Sequence, residues 1–266
     1  MNNLTFLSAQ PLSTYFLWQT AVCVQNLLDL GVEKKCIHLL FTQSPQQQRN
    51  TEDDALLLAL QGQASVYFYA DIRASKNYLS SIRPYILAKH FQAFPALETE
   101  AIFYHDCDII FRELPPILIK LPINTWYVSD TANYLDTHYI KRHIGESGFL
   151  QMCALVGISP SAAMAQDANC GGAQYVLQNV SASFWQKVEK DSEGIYTLLE
   201  KLNRENVMTA FGYSIFHYGH WAERCTERSR SVEVSRSIIF RFSLFSLFHF
   251  SLIANTVHYS PAVKNS

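Results

Sequence analysis

The residues best suited to chemistry stand in one run, Ala101-Ile102-Phe103-Tyr104-His105-Asp106-Cys107-Asp108-Ile109-Ile110-Phe111. A short apolar stretch of strand type delivers two carboxylates, one residue apart, to its carboxyl end. Two hard oxygen donors so placed can hold Mg²⁺ or Mn²⁺ and leave coordination positions open for a diphosphate. A cation there would offset the negative charge that builds on a phosphate leaving group. Asp pairs at strand ends also cap helices or pair with Arg, so the spacing by itself leaves that structural role open. The place of the pair after a fourth strand favours the metal.

The elements that must position the pair are legible upstream. Apolar runs at residues 4–7, 37–41, 66–69 and 101–104 fit buried strands, four to five residues long and rich in β-branched or aromatic side chains. Helical patterns lie between them. Leu17, Ala21, Val24 and Leu28 share one helix face, with Gly31 where a C-terminal cap belongs. A second helix is expected over 53–60, with Thr51, Glu52, Asp53 and Asp54 supplying the cap and first-turn acids. A third opens at Ser81 and runs towards Phe91, before Pro95 stops it.

Strand and helix alternating about every thirty residues predict βαβ units, hence an α/β, Rossmann-like, mostly parallel sheet flanked by helices. Ligands of such sheets sit beyond the carboxyl ends of the strands. Ser8, Gln10, Thr42, Gln43, Asp71, Asp106 and Asp108 fall there, and a fifth strand, Trp126-Tyr127-Val128, ends in Ser129-Asp130. The later chain is more helical, over 134–144, 149–156 and 184–202, with Gly157 and Pro160 closing the second of these.

Composition bounds the rest. The chain has 266 residues, 48% hydrophobic and 17% charged, which excludes a disordered or collagen-like protein. A formal net charge of −2 gives no basic coat for nucleic acid. The six cysteines form no CxxC pair, so reduced thiols are expected rather than a zinc site. Met1 to Leu7 lacks a basic n-region and a long apolar segment, so the protein reads as cytoplasmic. Residues 238–254 approach membrane length, but Arg241 and His249 interrupt them, so no transmembrane span is expected.

The charge is unevenly spread. Residues 1–223 carry 15 Lys and Arg against 21 Asp and Glu, whereas residues 224–266 carry 6 against 2. That second stretch is a Ser/Phe/Leu-rich run of low complexity. It reads either as a basic, hydrophobic tail for peripheral membrane association or as an extension replacing a native C-terminus. The second reading is favoured because the run breaks the local consistency kept upstream.

The order of these features resembles that of GT-A-fold glycosyltransferases, which use nucleotide sugars and a metal held by an Asp-x-Asp. The resemblance rests on Ser81-Ile82-Arg83-Pro84-Tyr85-Ile86-Leu87-Ala88-Lys89 followed by Phe103-Tyr104-His105-Asp106-Cys107-Asp108. Tyr127-Val128-Ser129-Asp130, then Gly171-Gly172-Ala173-Gln174 and Phe184-Trp185, are similar to the acceptor side. The likeness covers residues 1–222, a nucleotide-binding half over about 1–115 and an acceptor half over about 116–222. Only the Asp-x-Asp is a strict motif.

The resemblance implies transfer of a sugar from a nucleoside-diphosphate sugar to a glycan or other hydroxyl acceptor, with Mn²⁺ or Mg²⁺ at Asp106 and Asp108. Gln10, Pro11 and Asp71 would hold base and ribose, or be plain turn and cap residues. Arg83 and Lys89 would meet phosphate oxygens, or lie on a solvated helix face. Gly171 and Gly172 suit a sugar-facing loop or a tight turn, and Gln174 would bond sugar hydroxyls. Trp185 would stack on an acceptor ring or fill the core. Asp130 and Asp191 are candidate general bases, although Asp191 also stands four residues from Lys187, as in an ion pair. A third metal ligand is implied at His217 or His220, with His220 preferred. If the native end is missing, that ligand and the activity go with it.

Two other readings remain at this point. In a haloacid-dehalogenase-type phosphohydrolase the first Asp would be a nucleophile, although that motif usually follows the first strand. A truncated, inactive relative would bind nucleotide or glycan without turnover.

Overall fold

The structure is a computed structural model that describes residues 4–43, 49–114, 125–130, 136–169, 171–205 and 231–234. The five apolar runs become β1 (Leu4–Pro11), β2 (Ile37–Gln43), β3 (Ser65–Ala70), β4 (Ala101–Tyr104) and β5 (Thr125–Asp130). With β6 (Gly171–Gln178) and β7 (Ser231–Val234) they form one sheet, in the order β3-β2-β1-β4-β6-β5-β7. β3, β2, β1 and β4 run parallel, as do β5 and β7. β6 runs antiparallel to both of its neighbours, β4 and β5. The sheet is therefore mostly parallel, as the alternation predicts, with one reversed strand that sequence reading took for a loop.

Among the described residues, six helices accompany it. In α1 (Thr14–Asp29) the Ser13 hydroxyl accepts from the Phe16 N–H, and Gly31, at φ 86°, turns the chain away past the other end. α2 (Thr51–Gln61) is capped by Asn50, whose side chain accepts from the Asp53 N–H; Thr51, the expected cap, is already inside the helix. α3 (Ile82–Ala93) ends before Pro95, as expected. The helices expected over 134–144 and 149–156 form one span, α4 (Thr137–Val156), broken at Gly145, where φ is 73° and ψ 169°. Residues 134 and 135 lie outside the described ones, and Asp136 caps this helix. α5 (Pro160–Ala165) and α6 (Ala182–Arg204) follow.

Alternation along the strands sorts the core into two layers. Leu4, Phe6, Leu39, Phe41 and Phe103 face α1 and α2, meeting Leu17, Val24, Leu27, Leu57 and Leu60. Leu7, Ala9, Leu40, Ile102 and Tyr104 face α3 and α6, meeting Ile86, Phe91, Trp185 and Val188. A third cluster, with Ile144, Phe149, Met152, Ile195 and Leu199, joins α4 to α6.

This topology brings distant segments to one edge. The parallel strands present Pro11, Gln43, Ala70 and Tyr104 there. Because β6 is reversed, its first residue, Gly171, lies at that edge opposite Asp130, the last residue of β5. Among the described residues, no helix is long and apolar enough to cross a membrane.

Candidate functional site

The site begins where β4 ends. The His105 N–H donates to the Leu7 carbonyl at 3.1 Å, continuing the β1/β4 ladder one step, and the chain then leaves the sheet as Asp106-Cys107-Asp108. Arg83, in the first turn of α3, reaches across the edge. Its Nε and Nη2 donate to Gln10 Oε1 at 3.4 and 3.2 Å, and Nη2 stands 3.7 Å from Asp106 Oδ1. Burial opposes the Arg83 charge, but Asp106 first, and then Tyr104, Cys107 and Tyr78, together raise the guanidinium pKa. Gln10 is buried, and its Nε2 has no hydrogen-bond partner among the described residues.

Burial, and then the neighbouring Asp106 charge, push the Asp108 carboxyl up to about 6, with Arg83 pulling the other way. Two like carboxylates held this close are what a divalent cation relieves, and oxygen donors of this kind suit Mg²⁺ or Mn²⁺. The donor set therefore fits such an ion, with its other positions left to water and ligand. Among the described residues no group of three or more His, Cys, Asp and Glu could hold a metal. His217 and His220, the implied third ligands, lie outside the described residues.

One neighbour was missed by sequence reading. Tyr15, exposed near the start of α1, has its phenol pKa raised by partial burial and by the charge of Asp108, against a hydrogen bond with Gln19. Trp18 sits beside it, ring centroids 6.1 Å apart and edge-on, 49% exposed. Two aromatics one helical turn apart, directly after β1, were the available signal.

The other implied residues divide. Asp130, Gly171, Gly172 and Gln174 come to the same edge: Asp130 pairs with Gly171 and Ser129 with Gly172, and the register then shifts before Val128 pairs with Tyr175. The two glycines are strand residues rather than a turn. Pro11 closes β1 there, opposite Thr42.

Four implied residues are placed elsewhere or otherwise engaged. Asp71 follows β3, three strands from β4 and hence about 14 Å away across the sheet. Its carboxylate is forked by Arg73, Nε to Oδ1 at 3.0 Å and Nη2 to Oδ2 at 3.1 Å, with Lys76 at 3.7 Å. Burial raises its pKa, but the bonds and charge of Arg73 prevail and hold it below the usual carboxylate range. Arg73 also donates to the Ser81 hydroxyl at 2.6 Å, and Ser81 in turn bonds Glu193 of α6. Asp71 thus braces the loop into α3 instead of waiting for a ribose.

Lys89 lies six residues beyond Arg83, about 9 Å down the helix from the edge, over the Tyr85 ring at 5.7 Å. Trp185 is 1% exposed, packed on Phe91, Tyr104 and Phe184, so it offers no stacking face. Asp191 is buried and paired with Lys187, which also donates to the Val156 carbonyl at 3.2 Å. The ion pair, not a general base, is what α6 makes of it.

No protein-family model and no curated protein matches this chain. Solved structures similar to it include glycosyltransferases. One is a WbbM bifunctional glycosyltransferase in its apo form, with TM-score 0.45 and 9% identity over 85% of this chain. A second is mouse xyloside xylosyltransferase 1, with TM-score 0.43 and 13% identity over 87% of this chain and 85% of that one. A third is core-mannan synthase A from Aspergillus fumigatus in its Mn/GDP form, with TM-score 0.39 and 13% identity over 89% and 73%. The chain spans 45% of WbbM, less than half. Likeness at this level carries no weight for function, which rests on the chain's own site.

Proposed function

We propose that this chain is a GT-A-type glycosyltransferase, moving a sugar from a nucleoside-diphosphate sugar to a hydroxyl acceptor. The observation that carries the reading is the pair of neighbouring carboxylates, Asp106 and Asp108, at the carboxyl end of the central strand β4, faced by Arg83. Asp106 and Asp108 would hold Mn²⁺ or Mg²⁺, which when bound supplies charge neutralisation for the departing diphosphate. Arg83 adds a fixed positive group on the same side, already oriented by Gln10. The buried Gln10 amide, whose Nε2 has no partner among the described residues, would bond a polar group of the donor.

On this reading residues 1–115 form the donor half and residues 116–222 the acceptor half; of the stretch 223–266, expected to be a tail apart from the domain, Ser231–Val234 instead pairs with β5 in the same sheet. The edge formed by Gly171–Gln174 and the end of β5 then borders the acceptor, and Asp130 is the candidate base for its hydroxyl proton. The exposed ring of Tyr15, which feels the Asp108 charge, and the Trp18 ring beside it offer flat faces to a ligand.

The test is calorimetric titration of Mn²⁺ and of UDP- and GDP-sugars into wild type, Asp106→Asn and Asp108→Asn, with donor hydrolysis followed in parallel. Wild type is expected to bind both and turn over donor, and each variant to lose metal binding and turnover while folded. Metal-dependent turnover surviving in Asp106→Asn overturns the proposal, as does an acyl-phosphate trapped on Asp106.

A further inference from the structure

The residue between β4 and the carboxylate pair has a place of its own. His105 is 1% exposed, wedged among Phe6, Phe103 and Phe111 with ring centroids 6.4, 5.7 and 5.9 Å away. Its Nδ1 lies 2.8 Å from the Asp106 carbonyl oxygen. A carbonyl only accepts, so Nδ1 carries the hydrogen and Nε2 of the neutral ring is an acceptor. That bond holds the peptide joining Asp106 to Cys107. Cys107, between the two carboxylates, is tied from α1, its thiol donating to Gln19 Oε1 at 3.5 Å. The middle of the Asp-x-Asp is thus anchored from behind, at its peptide and at its side chain.

A second observation points the same way. Buried polar atoms are ordinarily paired. Four side-chain atoms among the described residues are buried without a protein partner, and three of them, Ser8 Oγ, Gln10 Nε2 and His105 Nε2, belong to β1 or to the residue after β4. The β1/β4 register, ending at Leu7 opposite Tyr104, sets Ser8 opposite His105 at the next step. Neither atom bonds the other directly, so the Ser8 hydroxyl can serve Nε2 through a buried water, fixing the ring from its far side.

We propose that His105 is a positioning residue: without touching a ligand, it fixes the peptide that joins Asp106 to Cys107, and so sets the geometry in which the two carboxylates share a cation. This rests on the reading of Asp106 and Asp108 as the metal-holding pair. Outer partners of this kind are worth about 10–100-fold in metal affinity.

His105→Phe keeps a ring among the three phenylalanines and removes the Nδ1–H, whereas His105→Asn retains a donor at the corresponding position. Mn²⁺ affinity is measured by calorimetry, and amide hydrogen exchange across 106–108 is measured in metal-free protein. His105→Phe is expected to bind Mn²⁺ about 10–100-fold more weakly and to exchange faster, with His105→Asn recovering most of both. A folded His105→Phe that binds Mn²⁺ within about twofold of wild type overturns the proposal, and so does a His105→Asn as weak as His105→Phe.

If wild type itself binds no Mn²⁺, the metal reading fails and exchange alone decides. Faster exchange in His105→Phe, restored in His105→Asn, keeps the anchoring role, and unchanged exchange removes it. Should His105→Phe not fold, Ser8→Ala is expected to weaken Mn²⁺ binding about 3–5-fold, the worth of one buried hydrogen bond, and unchanged binding there overturns the proposal.

Discussion

Arg83 Nη2 stands 3.7 Å from Asp106 Oδ1 while the same nitrogen donates to Gln10 Oε1 at 3.2 Å, so one guanidinium on α3 joins the end of β1 to the end of β4. Lysine in its place keeps a charge but loses the planar fork that reaches both. Arg83→Lys is expected to lower kcat/KM for donor about 10-fold or more, and Arg83→Ala about 100-fold, the range for charge-assisted bonds. Steady-state kinetics with the active donor check this. Unchanged kcat/KM in Arg83→Ala removes Arg83 from the site.

Asp108 illustrates a site held against stability. Its carboxyl is raised to about 6, first by burial and then by Asp106. A raised acid binds its proton more tightly when folded, so the stabilisation is complete below the unfolded value and is lost as pH rises through about 6. Asp108→Asn in metal-free protein is therefore expected to raise Tm at pH 8 by roughly 2–6 °C, with little change at pH 4. Thermal unfolding at the two pH values decides it. A lower Tm at pH 8 contradicts the repulsion.

What sequence reveals and what it hides differ in kind. Strands β1 to β5 are legible because burial makes each a short apolar run, and the Asp-x-Asp is legible because its chemistry is local. β6 is not, since it opens Gly171-Gly172-Ala173-Gln174 and its strand character comes from pairing with β4 and β5. Asp71 reads as a ligand until Arg73, two residues on, is seen to fold back on it. Lys187 and Asp191 are a helix-spaced pair that sequence does foresee, though not how deeply Asp191 is buried. Tyr15 is found only when α1 is packed against the end of β4.

Asp71 and Arg73 make a stability prediction that separates bracing from ligand binding. Their side chains are 10% and 3% exposed, so Asp71→Ala leaves a buried guanidinium without its partner, at a cost of about 3–5 kcal/mol. Denaturant unfolding measures that loss. Donor affinity is expected to stay within about threefold in Asp71→Asn, because the ribose does not depend on this carboxylate. A tenfold weaker donor in a folded Asp71→Asn restores the binding role.

His90 sets the pH response of the core. It is fully buried, Nε2 lying 3.1 Å from His38 Nδ1 and Nδ1 lying 2.7 Å from the Tyr69 hydroxyl. Burial, and then the charge of His38, push its pKa down to about 3, and burial lowers those of His38 and His105 as well. The folded protein keeps these rings neutral, whereas the unfolded chain takes up protons below about 6.5. Stability is thus complete above that pH and falls as pH drops, by up to about 1.4 kcal/mol per unit for each ring. Asp108 runs the opposite way between the ordinary carboxylate range and about 6, so the cleanest comparison is made in the Asp108→Asn background. There, urea unfolding at pH 7.5, 6 and 5 is expected to show a fall that His90→Gln flattens by about one proton. Identical slopes with and without His90 would mean that the ring is already charged in the folded protein, and the buried pair with His38 would have to be redrawn.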